Sequence, residues 1–330
     1  MKRALVVGID KYISMDGLSG CENDAVEVAA MLARNGDGSP NFQVKLQTSD
    51  NDIVTAGILQ DAIGQLFEGD ADTVLLFFAG HGYVDPKTRA GYIVSQDASK
   101  GSFGVNLADI VGQANAAYPK IKSTVIVLDS CQSGAAGESQ LLGDTDIAQI
   151  GTGVTILTAC RKDGVAEEEG GHGIFTRLLL EGLSGTASDV IGRITPASVY
   201  ALIDQTLGAW GQRPLYKANV QSFVTLREVP PKVPLSVIRE LPVYFPTPSS
   251  VYKLDPSCEP ERGEETERLK EISVDAMKVR VYRDMQNMNR FGLVVPVDQP
   301  HMWHAAVHGT GCKLTALGAH YRSLAEKGRI

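Results

Sequence analysis

The sequence predicts an α/β domain, a mostly parallel sheet with helices on both faces, followed by a small α+β domain. Short, continuously apolar runs rich in β-branched and aromatic residues alternate with longer amphipathic ones, the pattern of strands buried on both faces and joined by crossover helices. The chain has 330 residues, which at roughly 100–200 residues per domain allows one large unit and one smaller one. Near residue 230 the alternation gives way to "EVPPKVPL" and "ELPVYFPTPSSVYKLDPSCEP". That composition suits a linker or an irregular docking segment. The expected division is therefore 1–228, a proline-rich segment 229–262, and a C-terminal domain 263–330.

Taken in order, "RALVVGI", "FQVKLQ", "TVLLFFAG", "GYIVS", "STVIVLD" and "GVTILTA" read as strands. The stretch "GCENDAVEVAAMLARNG" is a helix with Val26, Ala29, Ala30 and Ala33 at helical spacing and a glycine stop. A second helix, "IVTAGILQDAIGQLF", carries Ile58, Leu59, Ala62 and Leu66. Beyond the proline-rich segment, "GEETERLKEISVDAMKVRVYRDMQNMNRFG" offers one or two helices with Leu269, Ile272, Ala276 and Val279 at core spacing. The last forty residues read as a short hairpin and then a helix.

Composition narrows the function classes. The apolar fraction is 43% and the charged fraction 21%, ordinary for a globular chain, and no apolar run approaches the ~18 residues of a membrane span. The start "MKRALVVGID" reaches Asp10 too soon for a secretory signal and reads as the first core strand. Five cysteines, without a C-x-x-C pair, indicate neither a disulfide framework nor a zinc ribbon, so a reducing cytoplasm is the expected location. The net charge of −8 is uneven. Up to Pro234 there are 18 basic and 27 acidic residues, and from Leu235 onward 13 and 12. This speaks against a general nucleic-acid binder and mildly favours cationic partners at the acidic end. A nucleotide-binding doubly wound domain is disfavoured by the lack of G-x-G-x-x-G after "ALVVG" and of a P-loop.

Two strand ends carry the candidate chemistry. "TVLLFFAGHG" delivers His81 directly before Gly82, and "STVIVLDSCQSG" delivers Cys131 fifty residues later. Adjacent strand ends would bring imidazole and thiol together. A cysteine nucleophile needs a neighbouring base, and a developing oxyanion needs backbone N–H donors, which glycine-flanked turns expose. Alone, either residue would be read as packing; the pairing is what argues for a nucleophile. Asp129 lies two residues before Cys131, so strand alternation puts both on one face, where an acid would select a basic substrate residue.

These motifs resemble the histidine and cysteine motifs of caspase-like peptidases, on the metacaspase or prokaryotic caspase side. "LSGCENDA" is similar to the metacaspase L-x-G-C-x-N-D-A segment, and "HGIFTRLLLEGLSGTASD", "GRITPASVYALID" and "QRP" to the closing helices of bacterial members. The likeness covers about residues 1 to 226. It implies a six-stranded caspase-like sandwich and a cysteine endopeptidase with His81 and Cys131 as the dyad and Gly82 and Cys131 as oxyanion donors. It further implies a primary pocket lined by Asp24 and Asp129 with Cys21 beside them, and cleavage of protein substrates after Arg or Lys. Ala79 stands where many metacaspases have Ser. No cofactor is expected. Calcium dependence is left open, with Asp97 the nearest candidate acid and a turn role its ordinary alternative. The contrasting reading is a catalytically silent caspase fold acting as a scaffold through its C-terminal domain.

The glycine-rich stretches 134–153 and 160–173 are candidate mobile loops, with Arg161 and Lys162 as a conceivable self-cleavage point and His172 as a weaker base than His81. In the C-terminal part, His301, His304, His308 and Cys312 invite a zinc reading, but no C-x-x-C or H-E-x-x-H accompanies them, so no metal site is expected. "NRFGLVVPV" and "GCKLTALGAHYRSLAEKGRI" instead resemble the helix, wing and final helix of winged-helix domains. This weak likeness suits a docking module for a regulatory or activating protein better than one for DNA. By analogy, the caspase likeness suggests a bacterial stress, cell-death or phage-defence (antiviral) role.

Overall fold

The computed structural model describes residues 1–51, 53–88, 90–132, 150–159, 168–169, 172–208 and 214–330. The chain divides into two compact units, Met1–Ser188 with Gly192–Pro230, and Asp189–Ile191 with Pro231–Ile330.

The first unit begins with β1 (Lys2–Gly8), α1 (Cys21–Ala33), β2 (Gln43–Thr48), α2 (Ala56–Leu66), β3 (Ala71–Val84), β4 (Gly91–Ser99), β5 (Ser102–Asn106), α3 (Leu107–Ala117) and β6 (Ile121–Gln132). It continues with β7 (Val154–Thr158), the two-residue pair β8 (Glu168–Glu169) and β9 (His172–Gly173), α4 (Ile174–Glu181), β10 (Arg193–Ile194), α5 (Pro196–Leu207), β11 (Leu215–Asn219) and β12 (Arg227–Glu228). The main sheet runs β11-β7-β6-β3-β1-β2, with β4 and β5 appended to β3. Five of the six strands on that path are parallel and the edge strand β11 is antiparallel. Two apolar layers cover the two faces. Ala4, Val6, Leu75, Phe77, Val125 and Val127 pack with α1, α4 and α5 on one side. Leu5, Val7, Leu76, Phe78, Ile126 and Leu128 pack with α2 and α3 on the other. Strict alternation along strands buried on both sides explains their unbroken apolarity.

The details differ from the sequence reading in informative ways. "GYIVS" forms β4 of the appended antiparallel pair, and the sixth strand of the path is β11, "LYKAN". In α1 the buried stripe is Ala25, Val28, Ala29 and Leu32, while Val26 faces solvent. The helix is rotated because it lies hard against the end of β1. A Cβ on Gly8 would come within 2.3 Å of the Cys21 carbonyl oxygen and 2.7 Å of the Ala25 Cβ. In α2 the stripe is Leu59, Ala62, Ile63 and Leu66, with Ile58 exposed. Helix starts are chemically marked: Thr55 and Asn106 accept from Ile58 and Ala108 N–H, and Thr195 with Ser198 forms a reciprocal box ahead of Pro196.

The second unit holds α6 (Leu235–Arg239), α7 (Leu241–Tyr244), β13 (Val251–Tyr252), α8 (Ala276–Arg290), β14 (Val294–Pro296), α9 (Met302–Val307), β15 (Cys312–Leu314) and α10 (Ala316–Glu326). Its antiparallel sheet is ordered β13-β15-β14. The stretch read as linker or docking segment supplies Val233, Ile238, Leu241, Phe245, Leu254 and Cys258 to this unit's core, as does Val190 from far upstream. The strands β14 and β15 do pair, but α9 sits between them, so the connection is longer than a hairpin. Helix α8 starts at the Asp275 cap and buries Val279, Tyr282, Met285 and Met288, with Ala276 exposed; Ile272, which precedes the helix, is exposed too. The "LTALG" turn is explained by two contacts. Thr315 caps α10 through Gly318 N–H, and a Cβ on Gly318 would meet the Leu293 carbonyl oxygen at 1.9 Å. His301 at the start of α9, His304 within it and His308 at its end have successive ring centroids 5.6 and 5.8 Å apart. Among the described residues, no three His, Cys, Asp or Glu side chains are grouped to hold a metal. Burial pushes the Cys312 thiol up to about 12.

Candidate active site

The two central strands outrun their neighbours. β1 ends opposite Ala79 of β3, and β7 ends opposite Leu128 of β6. The β3–β6 ladder continues for three more pairs, Gly80 with Ser130, His81 with Cys131 and Gly82 with Gln132. His81 and Cys131 are thus register partners on a two-stranded projection at the carboxyl edge of the sheet, where open α/β sheets place their sites. Gly82 also faces Ile93 of β4.

The loop after β1 takes over where β1 stops. The Ile9 N–H donates to the Ala79 carbonyl at 3.0 Å, and the Tyr12 hydroxyl accepts the His81 N–H at 2.8 Å. The Tyr12 ring lies 4.7 Å from the imidazole, centroid to centroid, at 47°. Gly80 makes room for this, since a Cβ there would stand 2.7 Å from the Tyr12 hydroxyl. The ring's far nitrogen, Nε2, is 3.0 Å from the Asp16 carbonyl oxygen. A carbonyl only accepts, so Nε2 carries the proton and Nδ1 is the basic nitrogen. Nδ1 is buried and has no hydrogen-bond partner among the described residues.

The expected pocket acids are also gathered here. Gly20, before α1, has no side chain to cap the helix. Asp10 does so from the end of β1, accepting the Cys21 and Glu22 N–H groups at 2.9 and 3.1 Å. Ser49 accepts the Asp10 and Lys11 N–H groups and donates to Glu22, which pins the same loop. One turn into α1, Asp24 is 2% exposed. Its carboxylate accepts from His172 Nδ1 at 2.7 Å and from the Gly173 N–H at 3.3 Å. Asp129 is buried on β6 and accepts from the Thr176 hydroxyl of α4 at 2.7 Å. Burial pushes the Asp24 carboxyl up, to about 7; the Asp129 charge adds to the rise, and the His172 and Gly173 hydrogen bonds oppose it. Burial and then the charges of Asp10, Asp129 and Asp24 push the half-buried Cys21 thiol far up, so it stays neutral. Asp24, Asp129 and Cys21 therefore share one electrostatic neighbourhood.

With this geometry, the profile of the caspase domain family matches residues 1–218. The chain belongs to the caspase family. Among solved structures, its fold is similar to that of a Geobacter sulfurreducens protein (18% identity, TM-score 0.50, 70% of this chain and 97% of that one). It is also similar to caspase-1 from Spodoptera frugiperda (13% identity, TM-score 0.50, 69% of this chain and 90% of that one). No curated protein matches the chain. The caspase family is one of cysteine peptidases acting on proteins, and among the described residues no helix is long and apolar enough to cross a membrane.

Within this caspase domain, several expected residues have a clear structural setting. Ala79 is fully buried and pairs with Asp129 in the β3–β6 ladder. Asp97 accepts from the Ala56 N–H at the start of α2 and from Ser95, a structural task. The 134–149 stretch and Arg161 and Lys162 lie outside the described residues. His172 lies with Nδ1 2.7 Å from Asp24 and Nε2 3.4 Å from Glu27. Sequence reading missed Asp10, Tyr12, Asp16 and Thr176. The only signal for Asp10 was a helix opening on glycine without a local cap; Asp16 acts through its carbonyl, which no side-chain motif records.

Proposed function

We propose that this caspase domain is a metacaspase-side cysteine endopeptidase that cleaves proteins after Arg or Lys. The observation carrying this reading is the His81–Cys131 register pair together with an imidazole whose Nε2 is held by the Asp16 carbonyl, leaving Nδ1 as the base. In the mechanism, Nδ1 takes the Cys131 thiol proton and the sulfur attacks the scissile carbonyl carbon. The oxyanion is held by the backbone N–H groups of Gly82 and Cys131. The imidazolium returns the proton to the departing amine as the C–N bond breaks, leaving a thioester. Water then gives a proton to Nδ1 and attacks the thioester; the C–S bond breaks, the acid product leaves and the thiol is restored.

Asp24 and Asp129, with Cys21 beside them, receive the cationic side chain; a guanidinium matches carboxylates through paired N–H donors better than an ammonium. The second unit serves as a docking module for a regulatory protein, and the enzyme works in the cytoplasm within a bacterial stress, cell-death or phage-defence pathway. Purified protein should hydrolyse fluorogenic peptides ending in Arg or Lys, Cys131→Ala should abolish this, and Asp129→Ala should spoil selection for basic residues. Hydrolysis unaffected by Cys131→Ala sinks the mechanism. Repeating the assay with chelator and with added calcium decides metal dependence.

A further inference from the structure

The pocket assigned to the substrate's cation already holds a nitrogen donor of the protein itself. His172 Nδ1 lies 2.7 Å from Asp24 Oδ1, and His172 Nε2 lies 3.4 Å from Glu27 Oε1. Asp24 and Glu27 are one turn apart on α1, and a single imidazole spans them. The Gly173 N–H takes the other Asp24 oxygen. The two residues of β9 therefore occupy both oxygens of a carboxylate that is 2% exposed. His172 stands over Asp24 with its own side chain 18% exposed, and Glu27 is open to solvent at 58%.

We propose that His172 is an internal ligand of the cation pocket, which a substrate's Arg or Lys side chain must displace from Asp24, so that His172 sets the enzyme's affinity for basic residues. The proposal rests on the pocket reading above. A buried carboxylate left without donors is costly, and the imidazole supplies one while no substrate is bound. An arriving guanidinium exchanges that single N–H for a charged fork, so the exchange favours Arg and offers nothing to an uncharged residue. Glu27, on the next turn of α1 and open to solvent, lies 3.4 Å from the far nitrogen and gives the displaced imidazole a place to go. The charged groups facing His172 are Asp24 and Glu27 of α1, with Asp129 of β6 acting on Asp24.

The test compares peptides ending in Arg and in norleucine at pH 8.5. His172→Ala should raise the Arg-to-norleucine ratio of kcat/KM by about tenfold, the scale of one charge-assisted hydrogen bond removed from the competition. In Cys131→Ala protein, agmatine should bind, and its binding should shift the His172 imidazole resonances as the Asp24 bond is lost; this second measurement does not depend on the His172 variant folding. Agmatine binding with unmoved His172 resonances, or a ratio unchanged or lowered by His172→Ala while Asp129→Asn still lowers it, overturns the proposal and leaves the pocket standing. No agmatine binding, with an Asp129→Asn ratio equal to wild type, overturns the pocket reading and the proposal with it.

Discussion

Removing one oxygen from Tyr12 should cost this enzyme both stability and turnover. Tyr12→Phe keeps the ring beside the imidazole but leaves the His81 N–H, bonded at 2.8 Å in the native protein, without its acceptor. β1 has ended by this point and offers no replacement carbonyl. An N–H so deprived costs about 1–3 kcal/mol. For a unit of this size that is a melting temperature lower by roughly 2–4 °C per kcal/mol. The imidazole keeps its Asp16 contact, so the base persists but the strand carrying it is less well held. Turnover should fall by about tenfold or more, the usual consequence of misplacing a catalytic group. Gly80→Ala should lower turnover from the opposite side, by driving a Cβ to within 2.7 Å of the Tyr12 hydroxyl. Thermal melts and steady-state kinetics on an Arg peptide read both effects. Unchanged melting and kcat in Tyr12→Phe would refute the idea that this loop holds His81 in place.

In the proposed pocket, Asp24 must be ionised to receive a cation; its carboxyl is raised to about 7, so kcat/KM for Arg peptides should fall as pH drops below about 7, a limb that Asp24→Asn flattens. The folded protein holds the Asp24 proton to higher pH than the unfolded chain, whose value is near 3.8. This group thus favours folding at low pH, and the contribution is lost between about pH 4 and 7; urea midpoints should show wild type losing ground to Asp24→Asn between pH 5 and pH 8. Thr176→Val keeps the shape but removes one donor from the buried Asp129, and should cost about 1 kcal/mol by urea denaturation along with part of the preference for basic residues. Gly8→Ala forces a methyl against α1 and should cost about 1–3 kcal/mol with an unchanged denaturant slope, while weakening Arg binding because Cys21 and Asp24 ride on that helix.

The central sheet is legible because strands buried on both faces must be continuously apolar, and β1, β3, β6 and β7 are. The site motif is legible because His81 and Cys131 each end such a run. The phase of α1 is not: alanines crowd both sides of that helix, and only the close approach at Gly8 decides which of them face inward. β11 escapes notice because "LYKAN" is a half-exposed edge strand with no apolar run to announce it. The proline-rich stretch misleads for a related reason. Its buried residues Ile238, Leu241 and Phe245 do fall at helical spacing, but they are divided between helices of five and four residues among prolines, too short for the period to stand out. Nor could periodicity reveal that Thr176 and His172 would meet Asp129 and Asp24, since those contacts join residues 47 and 148 positions apart.

Val190 sits in the core of the C-terminal unit, donates its N–H to the Tyr321 hydroxyl and accepts from Lys232 N–H. Its flanks, up to Ser188 and from Gly192, belong to the peptidase unit. During synthesis this short insert leaves the ribosome long before its packing partners exist, so the order of translation and the order of completing the second core are uncoupled. A gene cut after Pro230 would not release a finished enzyme half: it would strand an apolar residue in water and leave a donor and an acceptor without mates. Deletion studies of this protein therefore need a polar replacement at Val190 before a loss of activity is credited to the missing C-terminal residues.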